Sequence, residues 1–382
     1  MWKQVKSASQ FPRVAARLVT PRRADYDTQI AEGIPRLSAM RATVSFWIRQ
    51  ETRPNTLDRD PAVWVLGNDQ GHRLEVWPAM GFNAYRWAVA GDPPIEMLWR
   101  TANFFEEAKP SRSGFPILFP FPNRIRDGKF AFEGKEYRLP TRDPAGKNAI
   151  HGFVLAAPWQ VVYAGADWDS AWIVGEVVGS AVAPELANLW PADFRLRVSY
   201  RLGKGCLRVE AKAINPGTTP LPMGLGYHPY FRTEPFGGDA AIVQLLTKRH
   251  WKLDENLPTG ESDGVELGEV AYRDVKWDDL FSGFAERFES PTSLIPAARM
   301  RDAAGEKSLT LSVSPDFPWM VAFTPPHREA VCFEPYTCAT DAIHAPVGSG
   351  LALGWRQLAP GATWKGAIEL RCEASEWSSR SA

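Results

Sequence analysis

Cysteine is scarce and unpatterned in this 382-residue sequence. Its four cysteines, Cys206, Cys332, Cys338 and Cys372, form no C-x-x-C and no regular spacing. That excludes a zinc ribbon or a disulfide framework as a reading and leaves reduced thiols in a cytoplasmic protein as the expectation. No apolar run approaches the roughly 18 to 20 residues that a membrane span needs, and the opening residues, Met1-Trp-Lys-Gln-Val-Lys-Ser-Ala, lack the apolar stretch of a secretory signal. Neither charge sign is in excess: Lys+Arg and Asp+Glu are 44 each. No overall field therefore recruits nucleic acid or an acidic membrane, and neither is expected as a partner. A glycine-rich phosphate loop and a G-x-S-x-G elbow are also missing. No His/Asp/Glu set shows metal-ligand spacing on one element, so neither metal nor cofactor is expected. Helical periodicity is scarce as well; Trp277 to Phe284 and parts of the first sixty residues are the only short helix candidates.

What the chain has instead is aromatic and β-branched. Hydrophobic residues make up 45% and charged residues 23%, within the range of ordinary globular proteins, and sixteen tryptophans supply large buried surfaces. From Ala62 onward short strand-like runs alternate with turn clusters. Val63-Trp-Val-Leu, the turn Gly67 to Gly71 and Arg73-Leu-Glu-Val-Trp read as a hairpin, and Phe130 to Tyr137 reads as another. Phe194 to Leu202 alternates apolar and polar residues, turns at Gly203-Lys-Gly205, and returns through Leu207, Val209, Ala211 and Ala213. Ser308 to Ser312, Met320 to Thr324, Ala330 to Phe333 and Ala367 to Arg371 are further strands, and Tyr336 to Gly350 reads as a polar loop. The expectation is an all-β protein, a large antiparallel β-sandwich over residues 61–375. An irregular, Arg-rich arm precedes it over residues 1–60, with strand propensity at Ala42 to Arg49, and a frayed tail follows over residues 376–382.

Several residues could carry chemistry. His228 lies in Met223 to Arg232, Met-Gly-Leu-Gly-Tyr-His-Pro-Tyr-Phe-Arg, beside a proline and between glycine-containing turns and aromatic rings, where it can exchange a proton near neutral pH. Pro116 to Arg126 cannot be helical because three prolines fix φ and remove donors; it ends in Asn123-Arg124, a fork of donors that serves either a hydroxylated ligand or a structural salt bridge. His151 precedes a glycine at a turn, a position as fitting for a structural histidine as for a functional one. Glu334 ends the strand-like Ala330-Val-Cys-Phe-Glu before Pro335, and beside Val331 and Phe333 its carboxylate can be desolvated toward a useful base, or can simply cap. Asp278, in Trp277-Asp-Asp-Leu-Phe281, is either a ligand group or the start of a helical turn.

Taken in order, Asn123-Arg124-Ile with Gly128, His151-Gly152, Trp190-Pro191, His228-Pro-Tyr-Phe231, Asp278 with Phe281, Glu334-Pro335 and Leu358-Ala-Pro-Gly361 resemble the successive blocks of the aldose 1-epimerase (mutarotase) family. The resemblance covers about Ala62 to Arg371. It implies a galactose mutarotase-like sandwich with a sugar cleft on one sheet, working as a monomer or homodimer without cofactor or metal. By that match Glu334 is the general base at the anomeric hydroxyl and His228 the general acid at the ring oxygen. His151 assists near the same oxygen, while Arg124, Asn123 and Asp278 hold or orient the sugar. The chain departs from the galactose-active members around the second histidine, where Gly226-Tyr227 precede and Arg232 follows. The sugar therefore stays open, and Arg232 with Arg126 makes a hexose 6-phosphate the second expectation. A carbohydrate-binding protein that kept the cleft without the chemistry, and a glycosidase using Asp278 and Glu334 as its carboxylate pair, are the remaining rivals.

Overall fold

The computed structural model describes residues 17–18, 45–107, 109–265, 268–344 and 353–374. The alternation seen in the sequence sets the central hairpin. In Arg195–Gly203 every second residue is buried, and Leu196, Val198, Tyr200 and Leu202 face Ala213, Ala211, Val209 and Leu207 of Cys206–Ile214. On the wet face Arg197 stands opposite Lys212 and Arg201 opposite Arg208; such like pairs repel. Nearby carboxylates offset them, with Arg197 on Glu176, Arg201 near Asp167 and Arg208 on Glu210.

This hairpin is the middle of a ten-stranded sheet. Ala171–Val178 and Gln160–Ala166 extend it on one side, and Thr363–Ala374, Lys307–Val313 and Ile295–Arg301 on the other. Against it lies an eight-stranded sheet that includes, in order, Thr247–Asp254, Asp278–Phe284, Trp319–Phe323 and Ala330–Tyr336, followed by the short Gly226–Tyr227 and Ile117–Leu118. Leu196, Val198 and Val209 of the first sheet share one core with Phe231, Met320 and Phe333 of the second. The fold is thus the expected antiparallel β-sandwich. A five-stranded sheet adds the hairpin of Ala62–Asn68 and Arg73–Trp77, with Phe46–Thr52 on its edge, inside the segment read as an arm. Residues 1–16 and 19–44 of that arm and the tail read as frayed, residues 376–382, lie outside the described residues, and the described residues 45–60 contain no helix. No described helix is long and apolar enough to cross a membrane.

Three readings are corrected. Trp277 to Phe284 is no helix; Asp278–Phe284 is a strand paired on both sides. Its Phe281 enters the main core while Leu280 enters a second apolar cluster on the opposite sheet face, and a strand buried on both faces shows no alternation. Glu334 does not end its strand, because Ala330–Tyr336 continues through Pro335, which lies opposite Met320. The stretch from Tyr336 to Asp341 is buried rather than a polar loop, its polar groups satisfied by contacts such as Leu225 N–H donating to Thr337 Oγ1 at 2.8 Å; residues 345–350 lie outside the described residues.

Candidate active site

The strand Ala330–Tyr336 sorts its side chains by parity. Val331 and Phe333 go into the main core; Cys332, Glu334 and Tyr336 take the other face. Its neighbour is broken in two: Gly226 pairs with Tyr336, and Tyr230 pairs with Cys332. The same register puts His228, in the gap between those segments, directly opposite Glu334. Pro229 lacks an N–H, and His228 N–H turns aside to donate to Pro116 O at 3.0 Å, so the ladder opens where the two side chains meet. His228 Nε2 lies 3.3 Å from Glu334 Oε1.

The rest of the ladder braces that pair. The imidazole of His228 stacks on Tyr230 with ring centroids 4.8 Å apart. The Tyr336 hydroxyl donates a very short hydrogen bond to the other oxygen, Glu334 Oε2. Gly226 makes that reach available, since a Cβ there would meet the Tyr336 ring at 2.4 Å. Tyr336 is a site residue that the family blocks did not flag. Strand parity could have found it, because it stands two residues after Glu334.

A second wall comes from two loops clamped together. Asn123 and His151 both adopt left-handed backbone (φ +52° and +64°), uncommon for non-glycine residues and a recurrent mark of functional segments. His151 N–H donates to Asn123 O at 2.9 Å, and Ile150 pairs with Arg124. Gly152 is required behind them, since a Cβ would fall 2.1 Å from Phe119 O. His151 thereby presents its ring 5.8 Å from that of His228. Arg124 donates through Nη1 to Asn123 Oδ1 at 3.0 Å and lies 3.5 Å from Asp143 through Nε, so the structural and the ligand-facing readings of Arg124 coexist.

Burial governs the protonation of this floor. Glu334 is only 2% exposed, and loss of water pushes its carboxyl well above the usual range; Asp278 adds to the rise, while the Tyr336 hydrogen bond and Arg124 oppose it. Burial pulls His228 down to about 3 and pulls His151 well below the ordinary histidine value. Both shifts favour the uncharged forms, a protonated carboxyl on Glu334 and a neutral imidazole on His228.

Asp278 sits at the exposed rim rather than on the floor, where its Oδ2 accepts from Asn256 at 2.5 Å. Asn123, Arg124, Asn256, Asp278 and Thr340, with Leu253, Leu280 and Val321, line one small depression of about 10 Å³. Of the two arginines named for a charged sugar, Arg126 is engaged by the buried Asp341 at 3.3 Å, and Arg232 belongs to the strand Tyr230–Arg232. Trp190 is a core residue, its indole donating to Pro222 O at 3.0 Å.

The described chain aligns with a solved galactose mutarotase-like protein from Clostridium acetobutylicum at a TM-score of 0.75 and 23% identity, over 86% of this chain and 99% of that one. In sequence it is 26% identical over 240 residues to the uncharacterized protein YihR of Escherichia coli K12, covering 60% of this chain and 72% of YihR. It is 32% identical over 152 residues to the galactose mutarotase of Rattus norvegicus, covering 38% of this chain and 40% of that protein. The aldose 1-epimerase family model matches residues 86–371, a span that contains Asn123, Arg124, His151, His228, Asp278 and Glu334, and the chain belongs to that family.

Proposed function

We propose that the protein interconverts the α and β anomers of a free aldose by opening and re-closing the sugar ring. The observation that carries this reading is the buried His228–Glu334 pair at 3.3 Å, two proton-exchanging groups side by side on one strand face. The two oxygens they have to serve, O1 and O5, are both bonded to the anomeric carbon. Adjacent groups on one face suit them.

In the opening step Glu334, as carboxylate, takes the O1 proton while C1=O1 forms. The C1–O5 bond breaks and His228, as imidazolium, protonates O5. Rotation about C1–C2 turns the other face of the aldehyde to O5, and the same steps in reverse give the second anomer. The pair needs one proton in total throughout. Sugar opening passes it from the ionic form, Glu334 carboxylate with His228 imidazolium, to the neutral form, and closure returns it. Burial favours the neutral form, which accompanies the open-chain stage, while Tyr336 and Arg124 support the carboxylate. His151 hydrogen-bonds near the ring oxygen, Arg124 and Asp278 hold hydroxyls, and Asn123 orients Arg124. Glu334 is hydrogen-bonded to a tyrosine and faces a histidine rather than a second carboxylate, which favours this chemistry over glycoside hydrolysis.

Polarimetry on freshly dissolved α-D-glucose and α-D-galactose tests the proposal. Wild type is expected to speed the approach to the equilibrium rotation over buffer, and Glu334→Gln or His228→Asn to lower kcat by about 10²- to 10⁴-fold with little change in KM. Wild type equal to buffer on free and 6-phosphorylated hexoses would leave the binding-protein reading in its place.

A further inference from the structure

The strand face that holds Glu334 carries one group the proposed chemistry leaves unused. Cys332 stands two residues before Glu334 on the same face, wholly buried against Tyr230. Its Sγ, a ring nitrogen of His228 and a carboxylate oxygen of Glu334 all lie within 4.8 Å of one another. We propose that these three side chains form a site for a borderline-soft divalent cation, Zn²⁺ or its spectroscopic stand-in Co²⁺, and that this cation and the sugar exclude one another. The exclusion rests on the catalytic reading above; the binding does not.

Three observations carry the site. The donor set is right, because thiolate, imidazole and carboxylate are all zinc ligands, and bonds of roughly 2.0 to 2.3 Å put tetrahedral donors about 3.3 to 3.8 Å apart. His228 and Glu334 already stand at 3.3 Å, so closing the set requires side-chain adjustment only. The backbone is rigid, since His228 and Glu334 face each other across paired segments and Cys332 is held opposite Tyr230. The charge also closes: a thiolate, a carboxylate and a neutral imidazole cancel the two positive charges, as a buried ion requires.

Binding releases two protons, the one on the Cys332 thiol and the one on the Glu334 carboxyl. Three protein donors leave a fourth position for water. The cation then holds the two groups that the O1 and O5 of a sugar need.

The test uses the full chain after chelation. Added Co²⁺ is expected to give a thiolate-to-cobalt charge-transfer band saturating at one ion per chain, retained in Cys206→Ser, lost in Cys332→Ser, and displaced by Zn²⁺. In polarimetry Zn²⁺ is expected to slow mutarotation, with aldose competing. Losing even an outer-shell partner costs a metal site about 10- to 100-fold, so Cys332→Ser should weaken inhibition at least ~10-fold relative to its own uninhibited rate. Absence of the band, or its survival in Cys332→Ser, overturns the site. Should Cys332→Ser fail to fold, wild type decides: saturating aldose must expel the cobalt band, and a band indifferent to aldose overturns the exclusion. Chelated protein that does not accelerate mutarotation refutes the catalytic reading while a Cys332-dependent band upholds the cation site. Protein that mutarotates at full rate in saturating Zn²⁺ refutes the exclusion and leaves the catalytic reading standing.

Discussion

Replacing Tyr336 by phenylalanine isolates the support given to Glu334. The ring still fills the space beside Gly226, so packing is conserved and only the hydroxyl that donates to Glu334 Oε2 is lost. A hydrogen bond to a charged acceptor contributes about 1.5 to 3 kcal/mol and one to a neutral acceptor about 0.5 to 1.5 kcal/mol. The difference, about 1 to 1.5 kcal/mol, is what Tyr336 adds to the carboxylate form over the protonated form, and it corresponds to a roughly tenfold change in their ratio. The hydrogen bond opposes the upward push of burial on Glu334, so its removal moves the carboxyl further up. The expectation is a roughly tenfold fall in kcat with KM little changed, and an alkaline limb of kcat/KM displaced upward. Polarimetry across a pH series reads both, and circular dichroism confirms that the variant is folded. A folded Tyr336→Phe with wild-type kcat, or with its alkaline limb unmoved, would refute Tyr336 as a group acting through Glu334.

Burial pulls His228 down to about 3 and pushes Glu334 up. The acid limb therefore lies below the ordinary histidine range, and kcat/KM is expected not to fall as the pH drops from about 7 to 5; a steep loss on that descent would contradict the lowered His228. Arg124→Ala, which removes a guanidinium from the depression but no proton-transfer group, should raise KM more than it lowers kcat in the same assay. Gly152→Ala should destabilise by about 3 kcal/mol or more in urea titration, because its Cβ meets Phe119 O at 2.1 Å on a left-handed backbone. Burial, with Lys204 nearby, lowers His72 from 6.5 to about 4, and its Nδ1 accepts from Ala90 N–H at 3.2 Å. The unfolded chain binds the proton first as pH falls, so stability is present above 6.5 and lost toward 4. At about 1.4 kcal/mol per unit this loss approaches 3 kcal/mol, and it should diminish in His72→Gln when urea midpoints are compared across that range.

The alternation in Phe194 to Leu202 was legible because one sheet face is wet and the other dry, and the hairpins were legible from their turn residues. Asp278–Phe284 was not, since a strand buried on both faces and paired on both edges carries no period-two signal. The candidate residues could be named one by one from local chemistry: a histidine before proline, a histidine before glycine, a carboxylate among apolar neighbours. Their company could not. His228 meets Glu334 because a strand broken at Pro229 resumes in register with Ala330–Tyr336, and pairing register joins segments far apart in the chain. Strand parity then carries Tyr336 and Cys332 to the same face, and only the packed sandwich removes the water whose loss drives Glu334 up and His228 down. Residue types and turn chemistry belong to the sequence by itself; register, burial and the protonation that follows from them are decided by the tertiary structure, because each depends on which distant backbone lies alongside.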